Sequence, residues 1–492
     1  MDFQTVDWGA SLLAILPEIL LTILAVAVLV LDAVWPESRR QQIGVIAAIA
    51  MAGTVLVMLI FAPTPQGALQ DQLLLGGMIR HDVLAQIFRT VVILAGALTC
   101  LISVGVEGLG RRGQYYALVI IATVGTSLMS VAADLIMVFI ALETTSIMLY
   151  GLAGFLRRDE RSAESGLKYF LFGAFTSAIS LYGLSLLYGL TGQTNIYLLA
   201  DQLASAGMPP LAVLVALVLI VVGFGFKVGA VPFHFWTPDV YEGAPTPITA
   251  FISVGSKAAS FALLMRFFMA AFAGYDAVWV QLLAVSAALT MTLGNVLALW
   301  QRNIKRMLAY SSIAQAGYAL IGVVAISAQG GAGMAAVTFY MFMYALTNIG
   351  AFTVVVLASR ATGSEAIADM AGLSRRSPGL ALAMTVALLS LGGIPPAAGF
   401  FGKFFLFNAA VDADFVWLAL VGVINAIIAL YYYLMVIKVM YVDRSADEDK
   451  PIPVGGAYRW ALLITTLGVI FLGVVASPVY NWALEAGRGL LF

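Results

Sequence analysis

Apolar residues along the chain recur in long, nearly uninterrupted blocks. Most blocks contain about 20 residues or more, the length that an α-helix needs to cross a hydrocarbon core about 30 Å thick. The pattern therefore predicts an all-α polytopic membrane protein with about fourteen transmembrane helices, here called spans 1 to 14 in chain order. The predicted spans are residues 11–35, 43–62, 81–106, 114–131, 133–156, 161–190, 210–241, 247–272, 277–299, 303–325, 333–360, 378–411, 414–440 and 456–485.

Composition supports this class of protein. Apolar residues make up 62% of the 492 residues and charged residues only 10%, whereas a soluble domain has about 25% charged residues. The net charge of −1 gives no basic face for nucleic acid. One cysteine, Cys100, excludes an internal disulfide, and two histidines, His81 and His234, make no metal cluster or haem pair by themselves. Residues 1–8 lack the positive segment of a signal peptide, so span 1 is expected to remain as a helix.

The basic residues predict the orientation of the chain. Alternate loops hold 18 of the 25 Lys and Arg residues, and such an excess marks cytoplasmic loops. Both termini are therefore expected to face away from the cytoplasm. Four more basic residues are expected at, or within snorkelling reach of, the opposite face: Arg80, Arg89, Arg266 and Arg488. Three lysines remain, well inside predicted spans: Lys227, Lys257 and Lys403.

These three lysines and Glu143, the only acidic residue as deep in a span, need an explanation. A charge near the bilayer centre costs roughly 2.5–3.5 kcal/mol, so all four side chains should face protein or internal water. Burial disfavours the lysine cation and a nearby carboxylate restores it, so an ion pair that opens and closes switches proton affinity. A static tie between helices is the alternative for one pair. The excess of lysines over deep acids favours proton transfer.

Two spans carry helix-breaking residues beside a lysine. Gly229 and Pro232 interrupt span 7 next to Lys227, and a Gly-Gly-Ile-Pro-Pro segment interrupts span 12 next to Lys403. Proline removes a backbone hydrogen bond, so both spans are predicted to be discontinuous. They are five spans apart, and an odd separation predicts two inverted five-helix repeats, as in transporters. The predicted units are spans 1–3, the two repeats, and a C-terminal loop with span 14: residues 1–110, 111–273, 274–441 and 442–492.

Three long stretches of the sequence resemble the antiporter-like subunits of respiratory complex I, the proton-pumping NADH:quinone oxidoreductase. They are ALETTSIMLYGLAGFLRRDERSAESGLKYFLFGAF, KVGAVPFHFWTPDVYEGAPTPITAFISVGSKAA and NVLALWQRNIKRMLAYSSIAQAGYALIGV. The resemblance is closest to the subunit N branch. Related M subunits typically carry a glutamate in span 12 where this chain has Lys403, and L subunits continue into a long lateral helix. It implies that Glu143 pairs with Lys227 and that protons continue through Lys257 to Lys403.

The same resemblance implies auxiliary groups along this path. Span 11 has no histidine for the leg between Lys257 and Lys403, which leaves hydroxyl and amide side chains there: Tyr340, Tyr344, Thr347 and Asn348. Two further side chains border the break in span 7 and could supply hydrogen-bonding groups on the cytoplasmic entry side: His234 and Tyr241. A structural role is the alternative for the histidine.

The resemblance also implies the setting in which the chain works. Its partners would be the lipid bilayer and other membrane-arm subunits of complex I, including a neighbouring antiporter-like subunit, in a bacterial inner membrane with both termini periplasmic. FMN, iron–sulfur clusters, NADH and quinone would belong to the assembled complex. This chain lacks the cysteines and phosphate-binding motifs for such cofactors and is expected to be an enzyme only as part of the complex.

Three other functions are compatible with parts of this pattern. An Mrp-type cation/proton antiporter subunit would share the fold and the buried charges. A quinone-binding redox subunit would need a quinone pocket, for which the sequence has no discernible signature. A structural spacer would carry the same charges as inert ties.

Overall fold

The structure is a computed structural model and describes residues 7–62, 72–205, 210–329 and 331–489. Almost all of these residues are helical, which satisfies backbone hydrogen bonds within each segment, as lipid requires. The first ten helices are α1 Trp8–Ala14, α2 Leu16–Val34, α3 Gln41–Ile60, α4 Val83–Ser103, α5 Gly113–Val131, α6 Leu135–Ala153, α7 Glu160–Thr191, α8 Ile196–Ser205, α9 Pro210–Val228 and α10 Trp236–Gly243. The remaining helices are α11 Thr246–Phe251, α12 Lys257–Ala271, α13 Asp276–Ala298, α14 Ile304–Gln329, α15 Gly331–Thr362, α16 Leu373–Arg376, α17 Pro378–Gly392, α18 Gly399–Asp412, α19 Val416–Tyr441, α20 Gly456–Val474 and α21 Ser477–Gly489.

Thirteen helices within the described residues are long and apolar enough to cross a membrane. One of them is built from α11, a π-helical segment and α12, and corresponds to span 8. Span 12 is not among the thirteen, because it is divided into the two short helices α17 and α18. Span 7 is likewise divided into α9 and α10. The prediction of an all-α polytopic fold with discontinuous spans 7 and 12 is thus confirmed.

Both discontinuous spans stop at a glycine in the left-handed conformation. Gly229 has φ 74° and Gly393 has φ 84°, values that only glycine adopts without a steric penalty. In each span the amide after this glycine donates to the carbonyl five residues earlier, at 2.8 Å in span 7 and 2.9 Å in span 12. This is the Schellman cap of a helix C-terminus. The two breaks therefore begin with the same local geometry.

The two breaks do not hold their lysines at equivalent chain positions. Lys227 lies in the last turn of α9, before the break. Lys403 lies in α18, after the break. The lysine thus precedes the break in span 7 and follows it in span 12.

Two arginines expected near the outer face are instead buried in ion pairs. Arg89 is 1% exposed and its Nη2 atom lies 2.9 Å from Glu18. Arg266 is fully buried and donates to both carboxylate oxygens of Asp82, at 2.7 and 2.8 Å. Burial opposes ionisation of Asp82, and the two hydrogen bonds from the Arg266 guanidinium stabilise its carboxylate. These arginines join spans rather than snorkel; the side chain of Arg488 lies outside the described part of the chain.

The loops after spans 3, 5, 7, 9 and 11 lie together on one face of the bundle. A single cavity there is lined by residues from all five loops, including Val106, Arg161, Thr246, Arg302 and Arg360. Loops that alternate along the chain therefore share a face, as repeated membrane crossings require.

On the opposite face, two short strands connect spans 2 and 3. They are β1 Gln72–Leu74 and β2 Ile79–His81, which pair antiparallel with Gln72 opposite His81. The sequence pattern did not predict this hairpin, because it is short and lies between two strong helical signals.

The buried pair between Arg266 and Asp82 generates a stability prediction. Arg266→Met removes both short hydrogen bonds to the buried Asp82 carboxylate, which keeps the longer Arg80 contact at 3.5 Å, and should reduce the free energy of unfolding by about 3 kcal/mol. The double variant Arg266→Met/Asp82→Leu should recover part of this loss. The measurements are the melting temperature in mild detergent and the amount of chain in the membrane. Arg375→Met, which removes the exposed pair with Glu448, is the control, and equal stability of both single variants would contradict the prediction.

Candidate functional site

The three predicted lysines all lie inside the helix bundle. Lys227 and Lys403 are each 4% exposed and Lys257 is 1% exposed. Each ammonium group has a hydrogen-bond acceptor among the described residues, and these acceptors are hydroxyl and carbonyl oxygens rather than carboxylates. Lysine held in this way has a neutral partner, so loss of its proton leaves no buried carboxylate without a cation.

Lys227 is held by a serine one helical turn from Glu143. The Lys227 Nζ atom donates to Ser146 Oγ at 2.5 Å, and Ser146 in turn donates to the carbonyl of Leu142. The buried Oε1 atom of Glu143 has no hydrogen-bond partner. The implied Glu143–Lys227 pair is thus not in direct contact in this structure, where Ser146 is the partner of Lys227.

The Lys257 ammonium group is bound by Ser312 of α14. Its Nζ atom lies 2.6 Å from both the carbonyl oxygen and the hydroxyl of Ser312. The π-helical segment Ile252–Ser256 ends directly before this lysine. Such segments widen a helix by one residue and recur at functional sites. The local widening therefore coincides with the position where span 8 presents its cation.

The hydroxyl of Ser312 collects further polar side chains. Tyr344 donates to it at 2.9 Å, and the Tyr241 hydroxyl lies 3.2 Å away. Asn348 donates to Tyr344 at 3.1 Å and to Ser253 at 2.6 Å. Three of the auxiliary residues proposed from the sequence are therefore brought to the partner of Lys257.

Lys403 faces the end of the preceding half-helix. Its Nζ atom donates to the carbonyl of Gly392, the last residue of α17, at 3.2 Å. It also lies 4.5 Å from the centre of the Tyr318 ring, within the range of a cation–π interaction. Thr347, another auxiliary residue, lies at the same break, 3.0 Å from the Ser390 hydroxyl. Lys403 is thus stabilised by a ring face and a helix terminus.

Lys227 and Lys403 share this electrostatic setting despite their different chain positions. The C-terminal end of a helix carries partial negative charge and favours a cation. Lys227 belongs to the last turn of α9, and Lys403 contacts the last carbonyl of α17. Each broken span therefore offers the negative end of its first half-helix to one lysine.

His234, an auxiliary residue proposed from the sequence, lies apart from the lysines. His234 is 6% exposed, its ring lies 4.5 Å from that of Phe235 at a tilt of 31°, and its Nδ1 atom has no hydrogen-bond partner. No contact joins it to the lysines among the described residues.

The sequence reasoning missed Ser146 and Ser312, which hold the first two lysines. The available signal in span 10 was a pair of adjacent serines followed about one turn later by a glutamine: Ser311, Ser312 and Gln315.

Potential metal ligands are not clustered in the described parts of the chain. Within residues 7–62, 72–205, 210–329 and 331–489, no three His, Cys, Asp or Glu side chains are grouped so as to hold a metal ion. The chemistry visible in the site is therefore that of amines, hydroxyls and one carboxylate.

Comparison with known proteins places this arrangement in a family. A family model described as "NADH:quinone oxidoreductase/Mrp antiporter, TM" matches residues 132–429, more than half of the chain. NADH-quinone oxidoreductase subunit N of Moorella thermoacetica is 42% identical over 479 residues, covering 97% of this chain and 98% of that protein. The chain belongs to the subunit N family of NADH-quinone oxidoreductases. It is therefore an antiporter-like membrane subunit of that enzyme complex, as the resemblance implied.

Solved structures agree with this membership. A chain of respiratory complex I from Thermus thermophilus with bound aureothin has a TM-score of 0.77 and 30% identity, covering 94% of this chain and 98% of that one. A chain of the Mrp complex from Dietzia sp. DQ12-45-1b has a TM-score of 0.84 at 21% identity, with 98% of both chains covered. The second comparison shows the fold alone. Sequence identity, rather than fold similarity, therefore distinguishes subunit N from an Mrp subunit.

The position of Ser312 generates a prediction about this subunit. Ser312→Ala removes the hydroxyl shared by Lys257, Tyr241 and Tyr344 but keeps the backbone carbonyl. Loss of that hydrogen-bonding centre should reduce NADH-driven acidification of inverted membrane vesicles about fivefold. Ser130→Ala is the matched control, since the Ser130 hydroxyl is buried and bonds only within its own helix. Equal acidification by both variants would contradict a role for the Ser312 hydroxyl.

Proposed function

We propose that this subunit moves protons through Glu143, Lys227, Lys257 and Lys403, driven by electron transfer from NADH to quinone elsewhere in the complex. The observation that supports this most directly is the pairing of the three buried lysines with neutral oxygen atoms. An ammonium fixed by a buried carboxylate would resist deprotonation. An ammonium held by hydroxyl and carbonyl groups releases its proton at lower cost.

The Glu143–Lys227 pair is the proposed switch. Approach of the Glu143 carboxylate stabilises the Lys227 ammonium, and withdrawal leaves Ser146 as its main partner. The proton then moves towards Lys257, which lies close to the break that follows Lys227. A Cβ atom built on Gly229 would be 3.7 Å from the Lys257 Nζ atom. From Lys257 the proton continues to Lys403, with Tyr344, Thr347 and Asn348 beside the path.

We further propose the setting implied by family membership. Other membrane-arm subunits, including a neighbouring antiporter-like subunit, would cover the outer helices. NADH, FMN, iron–sulfur clusters and quinone would act in the rest of the complex. The two inverted units 111–273 and 274–441 would each supply one broken span, and Tyr241 and His234 would line the entry side of the first.

The Arg- and Lys-rich face would be cytoplasmic and both termini periplasmic. Cysteine labelling tests this orientation after Cys100, the only cysteine, is replaced by alanine. Asp449→Cys and Ala273→Cys place exposed thiols on the two opposite faces. A membrane-impermeant maleimide should label Ala273→Cys in intact spheroplasts and Asp449→Cys only in inverted vesicles. The reverse pattern would overturn the orientation.

The role of Lys227 has a direct test. Lys227→Ala should abolish or sharply reduce NADH-driven acidification in inverted vesicles while the complex still assembles, because the switch loses its titrating group. Assembly is measured by the amount of purified complex, and acidification by a fluorescent pH probe.

Lys438→Ala is the matched control for this substitution. Lys438 is half-exposed and pairs with Asp443 at 2.7 Å. Its removal should leave acidification unchanged. Normal pumping by Lys227→Ala would exclude the proposed path and favour a structural role for the buried charges.

An Mrp-type cation/proton antiporter is the second candidate, because the Dietzia Mrp chain has the higher TM-score, 0.84. Purification of the native protein separates the two candidates. Co-purification with a flavin- and iron-containing arm supports the oxidoreductase. Sodium-dependent proton exchange by a complex without that arm would support the antiporter.

A further inference from the structure

The leg between Lys257 and Lys403 lacks a titratable side chain in the sequence pattern. In the structure, one face of α14 fills this space. Gln315 lies about one turn after the adjacent Ser311 and Ser312 on this helix, and all three are 1% exposed or less. Ser312 holds Lys257, so the next polar residue along the same face is Gln315.

Gln315 makes hydrogen bonds to three different helices. Its Nε2 atom donates to the carbonyl of Leu391 at 3.1 Å and to the Tyr433 hydroxyl at 3.2 Å. Its Oε1 atom accepts from the Tyr340 hydroxyl. Both ends of the amide are therefore bonded, and the Leu391 carbonyl, which can only accept, fixes which end faces α17.

The end of α17 explains why this orientation matters. A helix terminus leaves its last four carbonyls without partners inside the helix. The Leu389 and Ser390 carbonyls accept from backbone amides that follow the helix. The Leu391 carbonyl accepts from Gln315, and the Gly392 carbonyl accepts from Lys403. Gln315 and Lys403 thus occupy neighbouring positions on the same negatively polarised helix end.

The hydroxyl groups around Gln315 lead back towards Lys257. Because Tyr433 accepts from the Gln315 amide, its own proton is available to Ser311, whose Oγ atom lies 2.5 Å away. Ser311 is the neighbour of Ser312 in α14. The Gln315 amide therefore contacts two groups. One is the Tyr433 hydroxyl, beside Ser311. The other is the Leu391 carbonyl, next in the chain to the Gly392 carbonyl that binds Lys403.

We propose that Gln315 is the positioning residue of the leg between Lys257 and Lys403. In this step a proton leaves the Lys257 ammonium, which becomes an amine, and is gained by the Lys403 amine, which becomes an ammonium. Gln315 carries no proton itself; it holds the Tyr433 hydroxyl beside Ser311 and the end of α17 beside Lys403. The inference rests on the proposed function, since it presupposes that both lysines transfer protons.

Gln315→Leu tests the proposal in the assembled complex. The measurement is the initial rate of vesicle acidification divided by the rate of NADH oxidation, with the amount of complex determined in parallel. Loss of the amide should reduce this ratio about fivefold. Gln86→Leu is the matched control: Gln86 is 1% exposed and also donates to a backbone carbonyl of another span, that of Met58, at 2.8 Å. Its ratio should remain that of the parent.

Gln315→Glu supplies a readout that a packing role would not change. A protonated carboxyl group can donate to the Leu391 carbonyl, whereas a carboxylate cannot. The Gln315→Glu ratio should therefore be near that of the parent at acidic pH and fall as the pH rises, while the parent ratio does not follow this curve. A pH-independent loss in Gln315→Glu would overturn the proposal. This variant also serves if Gln315→Leu fails to assemble.

Two further variants separate this inference from the proposed function. Lys257→Ala and Lys403→Ala should both abolish acidification. If they pump normally, the proposed function itself fails. If they lose pumping while Gln315→Leu keeps the parent ratio, or if Gln86→Leu loses as much as Gln315→Leu, only the role of Gln315 is overturned.

Discussion

Carbonyl groups freed where a helix stops inside the membrane are the constraint on which the rest of the site depends. In hydrocarbon each unsatisfied backbone group costs several kcal/mol, so a broken span needs partners at its break. At the end of α17 these partners include Gln315 and Lys403. At the end of α9 they include the Trp236 indole, which donates to the Phe226 carbonyl at 3.0 Å. The break and its neighbouring side chains therefore stabilise one another, and the buried cation is part of that stabilisation.

The chain uses its two kinds of basic side chain differently. Arginine is always protonated and binds carboxylates with two parallel hydrogen bonds, so the Arg266–Asp82 pair is a fixed tie between spans. Lysine is a compact cation that releases its proton when its surroundings favour the amine. Lys227 and Lys257 are held by serine oxygens. A buried positive charge is thus paired with a carboxylate at Arg266, whereas the three buried lysines are held by neutral oxygen atoms.

The shared fold explains why the two candidate functions are close. The TM-scores of 0.77 and 0.84 show that a complex I chain and an Mrp chain both share the overall fold of this chain. A fold supplies the position of a site, while its residues supply the chemistry. The 42% identity with subunit N of Moorella thermoacetica therefore carries the assignment, and the similarity of architecture supports only the class.

The sequence by itself determined the number and order of the spans, the breaks in spans 7 and 12, and the four central charges. These follow from local causes: apolar length, the glycine and proline signals, and the cost of burying Glu143 or a lysine. Only the tertiary structure decided that Ser146 and Ser312 hold lysines, that Arg266 is an internal tie, and that Gln315 lies beside Lys403. Serine and glutamine are common in helices and become informative only when another span places a cation or a freed carbonyl against them. Such contacts join residues as far apart as Arg266 and Asp82, so no local pattern encodes them.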